Sequence, residues 1–261
     1  MIKHRYPQVD ENLRVKTADR VLDVLECFAA PPNQKSLGEI AAATGINKSA
    51  VQRICRTLVG RGYLEQSQEA RLRLGPALLE RSFDFLRFNP LIERGSPILL
   101  DLRRETKERV DLSLFDPYHD NLSIIYAFRL QSKRETLYAT LSGRRFPAAS
   151  TSGGRACMAH LPDQTIDEII DLSDLKRITP QTIIDPEGIW EKIRFGREHG
   201  YCLAVEEALL GEIVLAAAVL NSHGQPIGAI HIAGSLNTWT PQDFCDRFAP
   251  LAMSAAQAIS G

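Results

Sequence analysis

The stretch Ser36 to Gly60, SLGEIAAATGINKSAVQRICRTLVG, constrains the chain most, because three helix-boundary signals follow one another in it. Ser36 and Glu39 have the spacing of a capping box, the serine side chain taking the amide three residues on and the glutamate reaching back. Gly45 follows Thr44 and suits the left-handed conformation that ends helices. Asn47 then caps a further helix, with Ile46 and Val51 spaced for a hydrophobic staple. The spacing predicts a helix starting at Leu37 that buries Leu37, Ile40 and Ala41, a tight turn, and a helix burying Val51, Ile54 and Leu58. Upstream, Thr17 to Ala29 puts Val21, Leu22, Val24, Leu25 and Phe28 on one side of a first helix, which the break at Pro31 to Asn33 closes.

The polar face of the third helix carries Lys48, Ser49, Gln52, Arg53 and Arg56, and no acid occurs from Gly45 to Gly60. Two short helices, a glycine turn and a third helix with such a face form the helix-turn-helix layout, whose last helix enters the major groove of DNA. Gln52 suits a bidentate contact to adenine, Arg53 or Arg56 one to guanine, and Lys48 and Ser49 near the helix start suit phosphate. Gly62 is expected to end the helix. Tyr63 to Gln66 and Arg71 to Leu74 then alternate as two short strands around a turn at Ser67 to Ala70, a wing with Arg71 and Arg73 facing phosphates. For one such helix alone a solvated face is the better reading; the ordered set of signals favours the DNA-reading fold.

Charge is divided along the chain. Met1 to Gly75 holds 12 basic and 8 acidic residues, against 19 and 24 in the remainder, although the whole carries a net charge of −1. That balance excludes a uniformly basic coat protein and fits a DNA-contacting module joined to one with another task. At 261 residues and 44% hydrophobic composition the chain holds one or two domains. It has no run of 18 apolar residues, and no apolar stretch follows the charges of MIKHRYPQVDENLR, so neither a membrane span nor a secretion signal is expected and the cytoplasm is the expected location. Five scattered cysteines (Cys27, Cys55, Cys157, Cys202, Cys245) lack any CxxC spacing and read as small buried hydrophobes. Without a phosphate loop, paired-carboxylate motif or metal cluster, no cofactor or metal is expected.

Next, PALLERSFDFLRF surrounds a predicted helix with Leu78, Leu79, Phe83, Phe85, Leu86 and Phe88, more apolar surface than a lone surface helix hides, and suggests packing against a second copy. The alternative is that it covers its own sheet. Asn89-Pro90 interrupts it, and Leu91 to Glu108 resumes as helix. Strand-like runs VDLSLF, LSIIYAFR, LYATL and FPAAS follow, then helical runs at Gly153 to Leu161, Asp163 to Leu172 and Pro186 to Glu198. The strands YCLAV, IVLAAAVL and PIGAIHIAG, with a hairpin turn at Ser222 to Gln225, and a helix from Pro241 to Ile259 close the chain. This order implies an α+β domain, helices packed on an antiparallel sheet. The expected organisation is a tail at 1–14, a winged helix-turn-helix at 15–76, a linker helix at 77–95 and an effector domain at 96–261.

LGEIAAATGINKSAVQRICRTLVGRGYLEQ with RLRLGPALLE, GRRFPAASTSGGRACMAHL, and EHGYCLAVEEALLGEIVLAAAVLNSHGQPIGAIHIAGS together resemble the isocitrate lyase regulator (IclR) family, from about Val15 to the end. The resemblance implies a winged helix-turn-helix joined by a helical linker to a GAF-like effector domain, in dimers or dimer pairs that repress or activate genes for catabolism of small or aromatic acids. A two-fold protein would match a palindromic operator. The family's effector pocket maps onto Ser152 and Gly153 of the loop and onto Ala204, Val214, His231 and Ala233. Thr151 adds a hydroxyl at the start of the same helix; an ordinary capped helix is the plainer reading of that segment. His231 shares a strand face with Ala229 and Ala233, placed to meet a ligand carboxylate or simply to sit satisfied in a core. Better-known members have a histidine where this chain has Ala149, a lysine where it has Arg155, and acidic, Cys or Ser contacts where it has Ala204, Val214 and Ala233. A less polar pocket and a larger or aromatic effector are therefore expected, and Arg144 and Arg145 are expected to be solvated.

Two other functions compete. An enzyme using Cys157 with His160 is disfavoured, because that spacing on one helix rarely aligns a thiol with its base and no orienting acid is evident. A constitutive DNA-binding protein whose second domain only oligomerises would bind its operator with indifference to every metabolite.

Overall fold

The computed structural model describes residues 13–115, 122–132 and 142–261. They form two compact units divided between Phe88 and Asn89.

In the first unit, α1 (Lys16–Glu26) runs into a 3₁₀ turn (Cys27–Ala29) and is followed by α2 (Leu37–Thr44), α3 (Lys48–Gly60), β1 (Leu64–Gln66), β2 (Leu72–Leu74) and α4 (Ala77–Phe88). The boundary signals act locally as their spacing demands. Ser36 Oγ accepts the Glu39 amide at 3.2 Å, and Glu39 Oε2 accepts the Ser36 amide at 2.6 Å. Gly45 sits at φ +70°, and Asn47 Oδ1 accepts the Ala50 amide at 2.8 Å. The core gathers Val24, Phe28, Ile40, Val51, Cys55, Leu58, Leu64 and Leu72. Cys55 takes the buried place expected for Ile54, which is half-buried, so the stripe of α3 runs at i, i+4, i+7. The helix stops at Gly60, two residues before Gly62, whose φ of +74° turns the chain into the wing. Leu64 and Leu74 pair across that hairpin, and the backbone of Lys35 hydrogen-bonds in both directions with Leu72. On α4 no residue is buried, and Leu79, Phe83, Phe85 and Phe88 are each more than half exposed.

The second unit opens with α5 (Pro90–Thr106), capped by Asn89 Oδ1 on the amides of Leu91 and Ile92, and continues through β3 (Arg109–Phe115), β4 (Ser123–Leu130) and β5 (Arg145–Pro147). A 3₁₀ turn (Ala148–Ser150), α6 (Ser152–Met158), α7 (Asp163–Leu172), α8 (Pro186–His199), β6 (Cys202–Val205), β7 (Glu212–Leu220), β8 (Pro226–Ser235) and α9 (Pro241–Ile259) complete it. The expected strand LYATL lies outside the described residues. FPAAS divides between β5 and the 3₁₀ turn, because Thr151 is already the cap of α6.

The described strands form one antiparallel sheet in the order β5-β4-β3-β8-β7-β6. One face packs on α5 and α9 through Val110, Leu112, Ile230 and Ile232 with Leu99, Phe248 and Ala252. At Gly95 an added Cβ would lie 3.3 Å from the side-chain methyls of both Ile259 and Leu112, so the backbone of α5 rests directly on side chains from α9 and β3. The other face lies under the 3₁₀ turn, α6, α7 and α8, in a core that includes Ile124, Tyr126, Ala149, Met158, Ile166 and Ile193. With both faces covered, a polar side chain in mid-sheet is buried and must find its partners inside. Helix-turn-helix unit and α+β unit are those the sequence predicts.

Candidate DNA-reading face and effector site

Lys48, Ser49, Gln52, Arg53 and Arg56 are all exposed on α3, and none of the three cations forms an ion pair with a described residue. Ser49 Oγ donates to Asn47 Oδ1 at 2.8 Å, which fixes the first turn of the helix. The wing arginines differ from expectation. Arg71 turns back to α2: its Nη2 donates to the Gln34 carbonyl at 2.7 Å and to Glu39 Oε2 at 2.9 Å. The Glu39 carboxyl is held down to about 2, first by the Ser36 backbone amide and then by the Ser36 hydroxyl and Arg71. Arg73 pairs with Glu65 across the hairpin at 2.7 Å. Both wing charges are thus matched inside the unit, while those of α3 are left for a partner.

In the second unit the sheet face beneath α6 is organised in rungs. Ala204, Val214, Ala233 and Arg109 are successive cross-strand neighbours on β6, β7, β8 and β3. The next rung is Cys202, Ala216, His231, Asp111 and Arg129, and the one after it Ala218, Ala229, Ser113 and Tyr126. Small apolar side chains therefore cover the β6–β8 part of the face, and charged or polar ones the β3–β4 part. A register shift in the β3–β4 pairing between Leu112 and Ser113 puts Arg129 opposite Asp111 and Tyr126 opposite Ser113.

His231 is fully buried at the junction of the two parts. Its Nε2 lies 2.8 Å from Ser113 Oγ, its ring is 4.9 Å from that of Tyr126, and Nδ1 has no hydrogen-bond partner among the described residues. Desolvation holds its pKa down to about 3, so the imidazole is neutral; Asp111 pulls the other way and the two arginines reinforce the burial. Gly153 is required beside it, since a Cβ there would stand 2.1 Å from His231 Cε1. Thr151 Oγ1 accepts the Gly154 amide at 3.0 Å and donates to the Ala148 carbonyl at 3.3 Å, and Ser152 is buried. The structure thus gathers Ser152, Gly153, Ala204, Val214, His231 and Ala233, with Thr151 engaged as an ordinary helix cap.

Sequence reading missed the charged half. Asp111 receives Arg129 through Nε at 3.0 Å and Nη2 at 2.9 Å, and Arg109 Nε at 3.0 Å. Arg109 Nη1 in turn lies 2.8 Å from Glu212 Oε1. The alternation Arg109, Asp111, Ser113 in a strand with both faces covered was the available signal. Arg155, expected only as a replacement for a family lysine, is wholly buried in a bidentate pair with Glu207, both contacts at 2.8 Å, and its Nε donates to the Ala149 carbonyl. Thr182 Oγ1 donates to the Glu207 carbonyl at 2.7 Å, so this pair ties α6 to the β6–β7 turn and to the segment before α8. Of the two arginines expected to be solvated, Arg144 is exposed over the Phe146 ring and Arg145 is half-buried. Cys157 donates its thiol to the Gly228 carbonyl, and burial raises its pKa well above the ordinary value, which leaves no thiolate for His160 to serve. Cys55, Cys157 and Cys202 are buried and Cys27 and Cys245 partly so, all as free thiols. No described group of His, Cys, Asp and Glu has the arrangement of a metal site, and no described helix is long and apolar enough to cross a membrane.

An exposed, acid-free helix on a winged unit, followed by a sheet domain with buried polar side chains on its covered face, is the architecture of a DNA-binding transcriptional regulator. Residues 17–68 match the IclR helix-turn-helix domain and residues 84–261 the bacterial transcriptional regulator IclR C-terminal domain. The chain is 30% identical over 240 residues to the p-hydroxybenzoate hydroxylase transcriptional activator of Acinetobacter baylyi, covering 91% of this chain and 88% of that one. It is 26% identical over 248 residues to the transcriptional repressor IclR of Escherichia coli, covering 95% and 89%. Among solved structures, an IclR homologue from Microbacterium hydrocarbonoxydans complexed with 4-hydroxybenzoate superposes with a TM-score of 0.74 at 21% identity, over 93% of this chain and 97% of the other. The chain belongs to the IclR family of transcriptional regulators; it is a DNA-binding regulator and not an enzyme.

Proposed function

We propose that the protein controls a catabolic operon for an aromatic or small organic acid in the cytoplasm, binding a palindromic operator as a dimer or dimer of dimers and changing its occupancy when the acid binds. The observation that carries this reading is the row of small apolar side chains Ala204, Val214 and Ala233 beside the buried, neutral His231, whose Nδ1 is unpartnered among the described residues. Small apolar walls suit a ring, and one orphaned polar nitrogen suits a single polar group on it. The regulation of p-hydroxybenzoate hydroxylase by one relative and the 4-hydroxybenzoate held by one structural neighbour support the aromatic choice. Thr151, Ser152 and Gly153 supply the covering turn. On the DNA side, Gln52, Arg53 and Arg56 read bases, Lys48 and Ser49 hold phosphate, and Arg71 and Arg73 reach phosphate only by exchanging their present carboxylate partners. The exposed apolar residues of α4 support self-association.

The test is binding of the purified protein to DNA flanking its own gene, at fixed salt, with and without a panel of aromatic and short-chain acids. Specific binding altered by an aromatic acid is expected. Specific binding altered only by two- or three-carbon acids would remove the aromatic assignment, and specific binding indifferent to all acids would favour a constitutive assembly protein.

A further inference from the structure

Arg109 ends the rung whose other members are Ala233, Val214 and Ala204, and strands about 4.8 Å apart make that floor about 14 Å long, enough for a benzene ring with one substituent. Its guanidinium crosses β8 to reach Glu212 on β7, a path left open because Ala233 carries only a methyl group. Its two carboxylate partners among the described residues are held unequally. Asp111 is 1% exposed, sits in the middle of the face and takes both arginines. Glu212 is 15% exposed and is the first residue of β7, directly after Gly211 at φ +78° and the exposed Leu209 and Leu210.

We infer that Arg109 anchors the carboxylate of the acidic effector, and that Glu212 occupies this place until the effector arrives. This rests on the effector reading above and names the group that recognises the acid. Asp111 takes Nε of Arg109, whereas Nη1 of this 7% exposed guanidinium faces Glu212, and a buried charged donor left without an acceptor is costly. With Glu212 as placeholder the arginine stays matched in both states, one carboxylate replacing another. Glu212 is the partner that leaves, since it sits at the rim beside a glycine turn while Asp111 remains clasped by Arg129. The ring then lies over the alanine floor, and His231 Nδ1 is left for a polar substituent of the ring. Binding thereby acquires a switch: the acid releases Glu212 and with it the start of β7.

Calorimetric titration of the full chain with benzoate, 4-hydroxybenzoate, pyruvate and glyoxylate, and with neutral benzamide and benzyl alcohol, tests this. Glu212→Gln should bind the accepted acid at least tenfold more tightly, because the competing internal charge is gone, while affinity for the neutral analogues stays within twofold. Arg109→Lys should weaken the acid at least tenfold and leave the neutral analogues unchanged. If either variant melts far below the parent protein, Glu212→Asp, which draws the carboxylate back by one methylene, should tighten acid binding in the same direction. Acid binding that is unchanged or weaker in the Glu212 variants overturns the inference, whichever acid the parent accepts. If pyruvate or glyoxylate alone bind, the aromatic assignment falls while Glu212→Gln still decides the role of Arg109. If no acid binds the parent but one binds Glu212→Gln, the placeholder stands; if none binds either protein, both readings fall.

Discussion

The two units handle charge in opposite ways. In the winged unit the ion pairs Arg71–Glu39 and Arg73–Glu65 lie at the surface, and Lys48, Arg53 and Arg56 stand exposed on α3. In the sheet unit Arg109, Asp111, Arg129, Arg155 and Glu207 are shielded from water and clasped to one another. Exposed cations keep their counterions and release them on meeting a polyanion, which is how a DNA-binding face gains affinity. Buried ions have no such freedom: each is fixed by its partner, and the pair fixes the segments that carry it. The first arrangement suits a large, repetitive partner, and the second suits one small molecule in one orientation.

Breaking the buried side should have the largest effect. Arg155→Met leaves the Glu207 carboxylate buried without its partner and should cost about 3–5 kcal/mol in urea unfolding, much of it recovered in Arg155→Met/Glu207→Leu. A single-variant loss below about 1 kcal/mol would mean that the pair is as solvated as those of the wing. On the exposed side, Arg53→Ala should cost about 1–3 kcal/mol on the cognate operator in fluorescence anisotropy and leave the melting temperature unchanged. An equal loss on random DNA would assign Arg53 to phosphate. The comparison sharpens with pH. His231 has a folded pKa of about 3 against an ordinary 6.5, so protonation favours unfolding, and its contribution is complete above pH 6.5 and lost as the pH falls toward 3. His231→Leu should flatten the melting curve of the second unit across that window, and an unaltered slope would place the acid sensitivity elsewhere. Smallest is Arg71→Ala, which removes an exposed pair and should cost less than about 1 kcal/mol while leaving the salt slope of DNA binding as it was. A slope reduced by about one would show that Arg71 leaves Glu39 for phosphate in the complex.

The first unit was legible because its instructions are local. Ser36 and Glu39, Gly45 and Asn47 act within one turn of themselves, and spacing alone told where α2 begins and ends and where α3 begins. In the sheet the same held for the alternation on β8, which placed His231 on one face with Ala229 and Ala233. The partners of Arg71 escaped because Glu39 lies 32 residues away, and nothing along the chain marks the two as neighbours. The Asp111 network escaped for a further reason: the β3–β4 register shift changes which residues stand opposite, and a reading by strict alternation cannot anticipate it. The sequence reading inferred a less polar pocket from Ala204, Val214 and Ala233. The rungs show where the polarity lies instead, on β3 and β4 at the far end of the same face.

That division between strands has a consequence for how such a regulator is retuned. Bulk and most of the charge are set on separate segments of chain, the small side chains on β6 to β8 and Arg109, Asp111 and Arg129 on β3 and β4, with Glu212 at the start of β7 the exception. On the effector reading proposed above, a change at Ala204, Val214 or Ala233 alters which outline is admitted while Arg109 goes on demanding an acid. On that reading, descent with modification, or a biosensor engineer, has three small side chains to vary before the chemistry of the guest has to change.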